Sequence, residues 1–145
     1  MAKLSSIAVA ETSDLKLLSA DDAPLFYEQD GRQLPTTAKL YGPGSKPYKQ
    51  AQAKVSNRIG EKFQRKGKFS QSAEEREADQ VELLVACTIS IVGLEFDGPF
   101  EHLASLTGPD LFRAIYSEPG LGFIKDQVQA HIGDWANFTK GSATS

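Results

Sequence analysis

Cysteine is almost absent from this chain of 145 residues: Cys87 stands alone, so no internal disulfide can form and no second thiol exists for a redox pair or a zinc site. Histidine is nearly as scarce. His102 and His131 sit in no recognisable motif, and a nucleophilic Cys87 would need a base beside it. Cys87 is therefore expected to be a small buried side chain on an apolar face, and both histidines structural or solvated. Long hydrophobic runs are lacking too. The longest, around Val81 to Leu94, is interrupted by Glu82, Cys87, Thr88, Ser90 and Gly93, too short and too polar to span a membrane. The N-terminal MAKLSSIAVAETS has one lysine and only a weak apolar patch, without the apolar stretch of a secretory signal, which leads to the expectation of a cytoplasmic protein. Nor is there a large charge excess. Sixteen Lys and Arg against nineteen Asp and Glu give a net charge of −3, which does not suit a chain that is basic throughout.

What is present suits one globular domain. The 40% hydrophobic and 24% charged fractions are ordinary, and the length is enough to bury a single core. The expected fold class is α+β: a small N-terminal antiparallel β-hairpin unit packed on a mainly helical body of about four helices that begins with an αα-hairpin. The expected boundaries are a flexible N-terminus over 1–13, one domain over 14–138 (β-rich over 14–41, mainly helical over 45–138) and a disordered tail over 139–145.

Asp14–Leu18 is a candidate strand, and Ser19–Pro24 has the composition of a turn. Leu25–Glu28 is followed by Asp30-Gly31, a hairpin signal, with Thr36–Tyr41 as the expected partner and Pro35 confining that partner to an edge or a late start. Gly42-Pro43-Gly44 breaks the strand and Ser45 is placed to cap a helix. Along that helix Tyr48, Ala51, Val55, Ile59 and Phe63 form one apolar stripe, with Lys54, Arg58 and Lys62 repeating every fourth position beside it. From Lys39 to Lys68 the bases are Lys39, Lys46, Lys49, Lys54, Arg58, Lys62, Arg65, Lys66 and Lys68, nine in all, against the single acid Glu61.

Such a row invites a nucleic-acid reading. The next helix argues against it. It opens on the capping box Ser72-Ala73-Glu74-Glu75 and carries Glu75, Asp79 and Glu82, which in an antiparallel hairpin would face Arg65, Lys62 and Arg58. Nucleic acid is therefore not the expected partner. Ala78, Val81, Leu84, Val85 and Thr88, widened by Leu83 and Cys87, should make this second helix the most buried. Helix is expected to about Ser90, then an extended piece to Phe96. Thr107-Gly108-Pro109-Asp110 should open a short third helix bearing Leu111, Phe112, Ile115 and Tyr116. The last should run from about Leu121 to Asn137 with Phe123, Ile124, Val128, His131, Ile132 and Trp135 along one side.

Two features are easily over-interpreted. Gly42–Lys46 lacks the glycine spacing and the Lys-Ser/Thr order of a phosphate loop. Glu95, Asp97 and Glu101 lack the alternating oxygen ligands of a calcium loop. No catalytic constellation, cofactor motif or metal ligand set is found, so a non-enzymatic protein is expected.

Taken together, the hairpin, KLYGPGSKPYKQAQAKVSNR, the acidic helix, TISIVGLEFDGPF and LGFIKDQVQAHIGDWANF resemble a tail assembly chaperone of tailed bacteriophages and prophages, over roughly Leu25 to Phe138. The resemblance implies a non-enzymatic protein of the host cell cytoplasm that binds the tape measure protein, and the major tail protein of the tube, while a long tail is built. Its partner-binding face would combine Tyr48, Val55, Ile59 and Phe63, rimmed by Lys54, Arg58 and Lys62, with whatever part of Ile124, Val128 and Trp135 is left uncovered. The competing reading is that both stripes pack on each other as core. A structural virion component and a small nucleic-acid-binding regulator are the alternative classes. Homo-oligomerisation is open.

Overall fold

The computed structural model describes Leu4, residues 8–66 and residues 73–138, with side chains along the first long helix described up to Asn57. The expected tail over 139–145 and the capping serine Ser72 lie outside the described residues. Over residues 8–138, the described residues form five strands and four α-helices in the order β1 (Thr12–Lys16), β2 (Phe26–Gln29), β3 (Arg32–Pro35), β4 (Thr37–Tyr41), α1 (Lys46–Lys66), α2 (Ala73–Cys87), β5 (Thr88–Val92), α3 (Gly108–Ser117) and α4 (Gly122–Ile132). Short 3-10 segments cover Gly98–Ser105, Pro119–Leu121 and Trp135–Phe138. The fold is α+β.

Asp30 and Gly31 both have positive φ, 53° and 77°, the geometry of a tight two-residue turn whose twist matches the flanking strands. The hairpin it closes is β2 with β3, Phe26 opposite Pro35 and Gln29 opposite Arg32. The expected partner, Thr36–Tyr41, is in a different sheet. A two-residue turn fixes register from its own ends, so the strand nearest in sequence wins, and Pro35 falls at the strand terminus where its missing N–H costs little.

The second sheet has the order β1-β4-β5, antiparallel throughout. Its central strand β4 is thus flanked by one strand from the start of the chain and one from the middle. Ser13, Leu15, Ala38, Leu40, Thr88 and Ile91 point to one face; Asp14, Lys16, Thr37, Lys39 and Tyr41 point to the other, where Asp14 lies opposite Lys39. Ala38 and Leu40 are fully buried against the helices, so the sheet is one-sided, apolar inward and polar outward. Thr12 and Ser13, ahead of Asp14, already belong to β1, and the Ala10 amide donates to the Phe138 carbonyl.

Three local expectations hold. The Ser45 hydroxyl accepts from the Tyr48 amide at 3.3 Å and donates to the Gly42 carbonyl at 2.7 Å, capping α1 as its position suggested. The helix α3 starts on Gly108-Pro109 and buries Phe112, Ile115 and Tyr116. Cys87 is completely buried. Two others do not. The helix α2 ends at Cys87, so the strand starts at Thr88 and ends at Val92 rather than extending to Phe96. α4 ends at Ile132, since Gly133 and Asp134 interrupt it before the 3-10 turn Trp135–Phe138. The 3-10 segment over 98–105 was not anticipated.

The switch at Thr88 has a chemical cause. Its hydroxyl donates to the Leu84 carbonyl at 2.7 Å, satisfying one of the acceptors a helix C-terminus leaves open. Tyr116 Oη lies 2.7 Å from the same oxygen and, with that proton committed to Leu84, must be the donor. Burial pushes the Tyr116 phenol up to about 12. Gly93 then ends β5 at φ 93°, with the Tyr27 ring packed where a Cβ would be. Far along the chain, the Gln127 amide of α4 accepts from the Leu18 N–H and donates to the Leu18 carbonyl, both at 2.8 Å, and so fastens the end of β1 to the helical layer.

Thr88→Val keeps the shape but leaves the buried Tyr116 hydroxyl without its acceptor. We expect a loss of about 1–3 kcal/mol in urea unfolding. Tyr116→Phe in the same background should restore part of that loss; a double variant showing the full sum of the two single losses would refute the coupling.

Candidate partner-binding groove

α1 and α2 pack side by side, and α3 crosses near the end of α2. Between α1 and α3, over the C-terminal half of α2, an open groove of about 700 Å³ remains. One wall is Pro47, Ala51, Lys54 and Val55 of α1. The floor is Leu83, Val85 and Ala86 of α2 with Thr88 at one end, and the far wall is Pro109 and Arg113 of α3. A smaller cleft on the opposite side of the α1–α2 contact uses Val55 and Leu83 again, with Gln52 and Asp79.

Around the groove, Arg113 and Lys125 hold two carboxylates of α2. Arg113 donates to both carboxylate oxygens of Glu82, at 2.7 and 3.0 Å, and to Asp110 at 3.2 Å. The hydrogen bonds and charge of Glu82 raise the Arg113 pKa further. Lys125 of α4 reaches Glu77 at 3.4 Å. Two acids of α2, Glu82 and Glu77, are thus engaged by α3 and α4. The expected pairing with Arg58, Lys62 and Arg65 involves side chains outside the described residues. On the described part of α1, Lys46, Lys49 and Lys54 are exposed and meet no carboxylate of the described residues.

The residues expected to bind a partner separate into groups. Lys54 and Val55 come together in the groove wall. Tyr48 is half-buried and packs against the core, its hydroxyl accepting from Gln52 at 3.2 Å. Arg58, Ile59, Lys62 and Phe63 lie outside the described side chains. Ile124 and Val128 must be corrected: at 3% and 0% exposure they are core, because α4 lays its Ile124–Val128–Ile132 ridge against the sheet and α2. Trp135 is 53% exposed but does not line the groove; the break after Ile132 rotates it off the helix face and onto Gly44, where a Cβ would meet the ring at 2.9 Å. Arg113, Pro109, Glu82 and Ala86 were missed. A lone cation on the short, otherwise apolar and acidic helix GPDLFRAIYS was the available signal for Arg113.

Other reactive groups are accounted for by packing. Burial pushes the Cys87 thiol up to about 12, so it carries no appreciable thiolate near neutrality. His131 Nε2 and the Ser13 hydroxyl are 3.0 Å apart, but Ser13 is only 3% exposed and no carboxylate of the described residues hydrogen-bonds the ring. The pair joins α4 to β1, and Phe138 packs edge-on to the imidazole at 5.3 Å. No group of three potential metal ligands occurs among the described residues, and no described helix is long and apolar enough to cross a membrane. Comparison with protein-family models, with curated proteins and with solved structures returns no match.

Burial depresses the pKa of His131 below its ordinary 6.5, against an opposing pull from Asp134 and Asp14. The unfolded chain therefore takes up the proton first. Stability contributed by the neutral ring is present above about 6.5 and is lost as pH falls toward the lowered folded value. Urea midpoints measured from about pH 8 to 5 should fall more steeply for the natural chain than for His131→Gln; parallel curves would show that His131 is not the group responsible.

Proposed function

We propose that this chain is a tail assembly chaperone of a tailed bacteriophage or prophage, holding an amphipathic helix of the tape measure protein in the α1–α2–α3 groove until tail tube subunits replace it. The observation that carries the reading is the groove: an apolar floor of Leu83, Val85 and Ala86 under a wall whose Lys54 has no acidic partner among the described residues. Helix-in-groove recognition needs an unfilled apolar channel with a charged rim that sets register. A helix with apolar residues on one side and carboxylates flanking them complements this channel in both respects.

A small-molecule site is favoured less. Such sites converge a few unsatisfied polar groups on the ligand. Here Arg113 already spends its donors on Glu82 and Asp110.

Co-expression with the tape measure protein tests the proposal. We expect soluble tape measure protein that co-purifies with this chain. Ala86→Asp places a charge on the floor, and Lys54→Glu reverses the wall. Each should reduce capture by about tenfold, roughly 1.4 kcal/mol, without altering the far-UV circular dichroism spectrum. No gain in solubility and no co-purification would remove the main support for a chaperone. Salt-sensitive binding to duplex DNA, abolished by Lys54→Glu, would favour a nucleic-acid-binding protein instead.

A further inference from the structure

The groove has a direction. α1 passes α2 head to tail: Gln52, Val55 and Ser56 border the smaller cleft with Asp79, Gln80 and Leu83, while Pro47, nearer the start of α1, borders the groove over the last turns of α2. α3 does the same on the other side. Pro109 lines the groove with Ala86 and Thr88, Arg113 binds Glu82, and Ser117 meets Glu74 and Ala78 in a third cleft. α1 and α3 therefore both begin at the end of the groove where α2 finishes, and they run parallel to each other along its two sides.

From this we infer that a helix held in the groove runs antiparallel to α1 and α3 and parallel to α2, with its C-terminal end beside Pro47 and Pro109 and its N-terminal end toward Val55 and Leu83. The inference rests on the helix-in-groove reading and adds to it the direction of the partner. Two helix N-termini meet at this end, each carrying roughly half a unit of positive charge, against one C-terminus of opposite sign. That C-terminus is partly quenched, because the Thr88 hydroxyl covers the Leu84 carbonyl. The start of α3 is not covered in the same way, since Thr107 at its N-cap makes no side-chain hydrogen bond to the helix. Lys46, exposed in the first turn of α1, adds a full charge. Asp110, the acid in the first turn of α3, is held by Arg113. A helix C-terminus, with its open carbonyls, complements such an end. The reverse direction would bring a third N-terminus up to the other two.

Packing agrees with the charges. An occupant antiparallel to the helix on each side gives the alternating up-and-down order in which bundled helices commonly pack. From Pro47 to Val55 the α1 wall is about 12 Å long, so about two turns of the occupant lie between the walls, with its apolar stripe over the gap between Ala51 and Ala86.

A synthetic helix of about 16 residues, with leucines at every third or fourth position and glutamates beside them, tests the direction on the full chain. It is made twice, once with a nitroxide at its C-terminus and once at its N-terminus, and the amide signals of the protein are followed by NMR. With the C-terminal label, broadening should be strongest at Lys46–Lys49 and Asp110–Leu111. With the N-terminal label it should be strongest at Val55, Ser56 and Gln80–Leu83. The opposite pattern, or equal broadening from both labels, would overturn the direction and leave the helix-in-groove reading standing. A peptide that leaves the groove signals unmoved up to about 1 mM would overturn both.

Discussion

A single threonine decides how the chain is divided between helix and sheet. Thr88 gives its proton to the Leu84 carbonyl and accepts one from Tyr116, so the last turn of α2, the start of β5 and the inner face of α3 meet at one buried oxygen. The helix then ends without an orphaned acceptor at that point. With the strand started at Thr88, Leu40 lies opposite it and Ala38 opposite Ile91. β4 acquires its second neighbour only by this means. Without β5 the sheet would be the β1–β4 pair, and two strands alone are marginal in water. The sheet joins the body of the fold through β5 at one edge and through the Gln127–Leu18 and His131–Ser13 contacts at the other.

The same layout explains why the groove stays open. α2 is held from behind by α3 and α4, through buried Val81, Leu84, Val85, Phe112, Ile115, Ile124 and Val128, through the exposed Arg113–Glu82 pair and through the partly covered Lys125–Glu77 pair. Solvent-exposed pairs of this kind each contribute little, and their value here is in fixing which way the carboxylates point. α1 has a different status. In its described part Ala51 is the one buried residue, with Tyr48, Val55 and Pro47 half-buried. A helix that contributes an alanine where a leucine would fill the space leaves a channel beside it, and interiors tolerate such gaps poorly unless something occupies them.

Much of the local structure was legible because it is set by local chemistry. Asp30-Gly31 fixes a two-residue turn, Ser45 caps α1, Gly108-Pro109 opens α3, and the periodicity of α2 marked its burial; each depends on residues a few positions apart. The misreadings came from choices settled over long distances. Thr36–Tyr41 was matched with its sequence neighbour, when its partners are Thr12–Lys16 and Thr88–Val92. The segment from Thr88 onward suits either a helix or a strand by composition, and the Tyr116 hydroxyl, 28 residues away, settles it. Ile124, Val128 and Trp135 share a helical stripe on paper. Gly133 breaks that stripe, so the first two enter the core while Trp135 swings onto the glycine turn before α1.

The groove was half legible for a related reason. Periodicity selects the correct wall of α1, since Lys54 and Val55 both line it, but periodicity measures direction and not volume. Tyr48 and Val55 fall on one stripe, yet Tyr48 reaches the core whereas Val55 borders empty space on both sides of the α1–α2 contact. What separates them is the opposing surface. Near the start of α1 the Tyr48 ring packs against the core; one turn later Ala51 looks across at Ala86, and two small side chains cannot close the gap to Arg113. Size at facing positions, which no single helix records, turns an ordinary amphipathic face into an opening. Under the proposed function, a bound helix would bring the missing apolar volume along with carboxylates for Lys54, a demand that an extended amphipathic segment meets and a compact ligand does not.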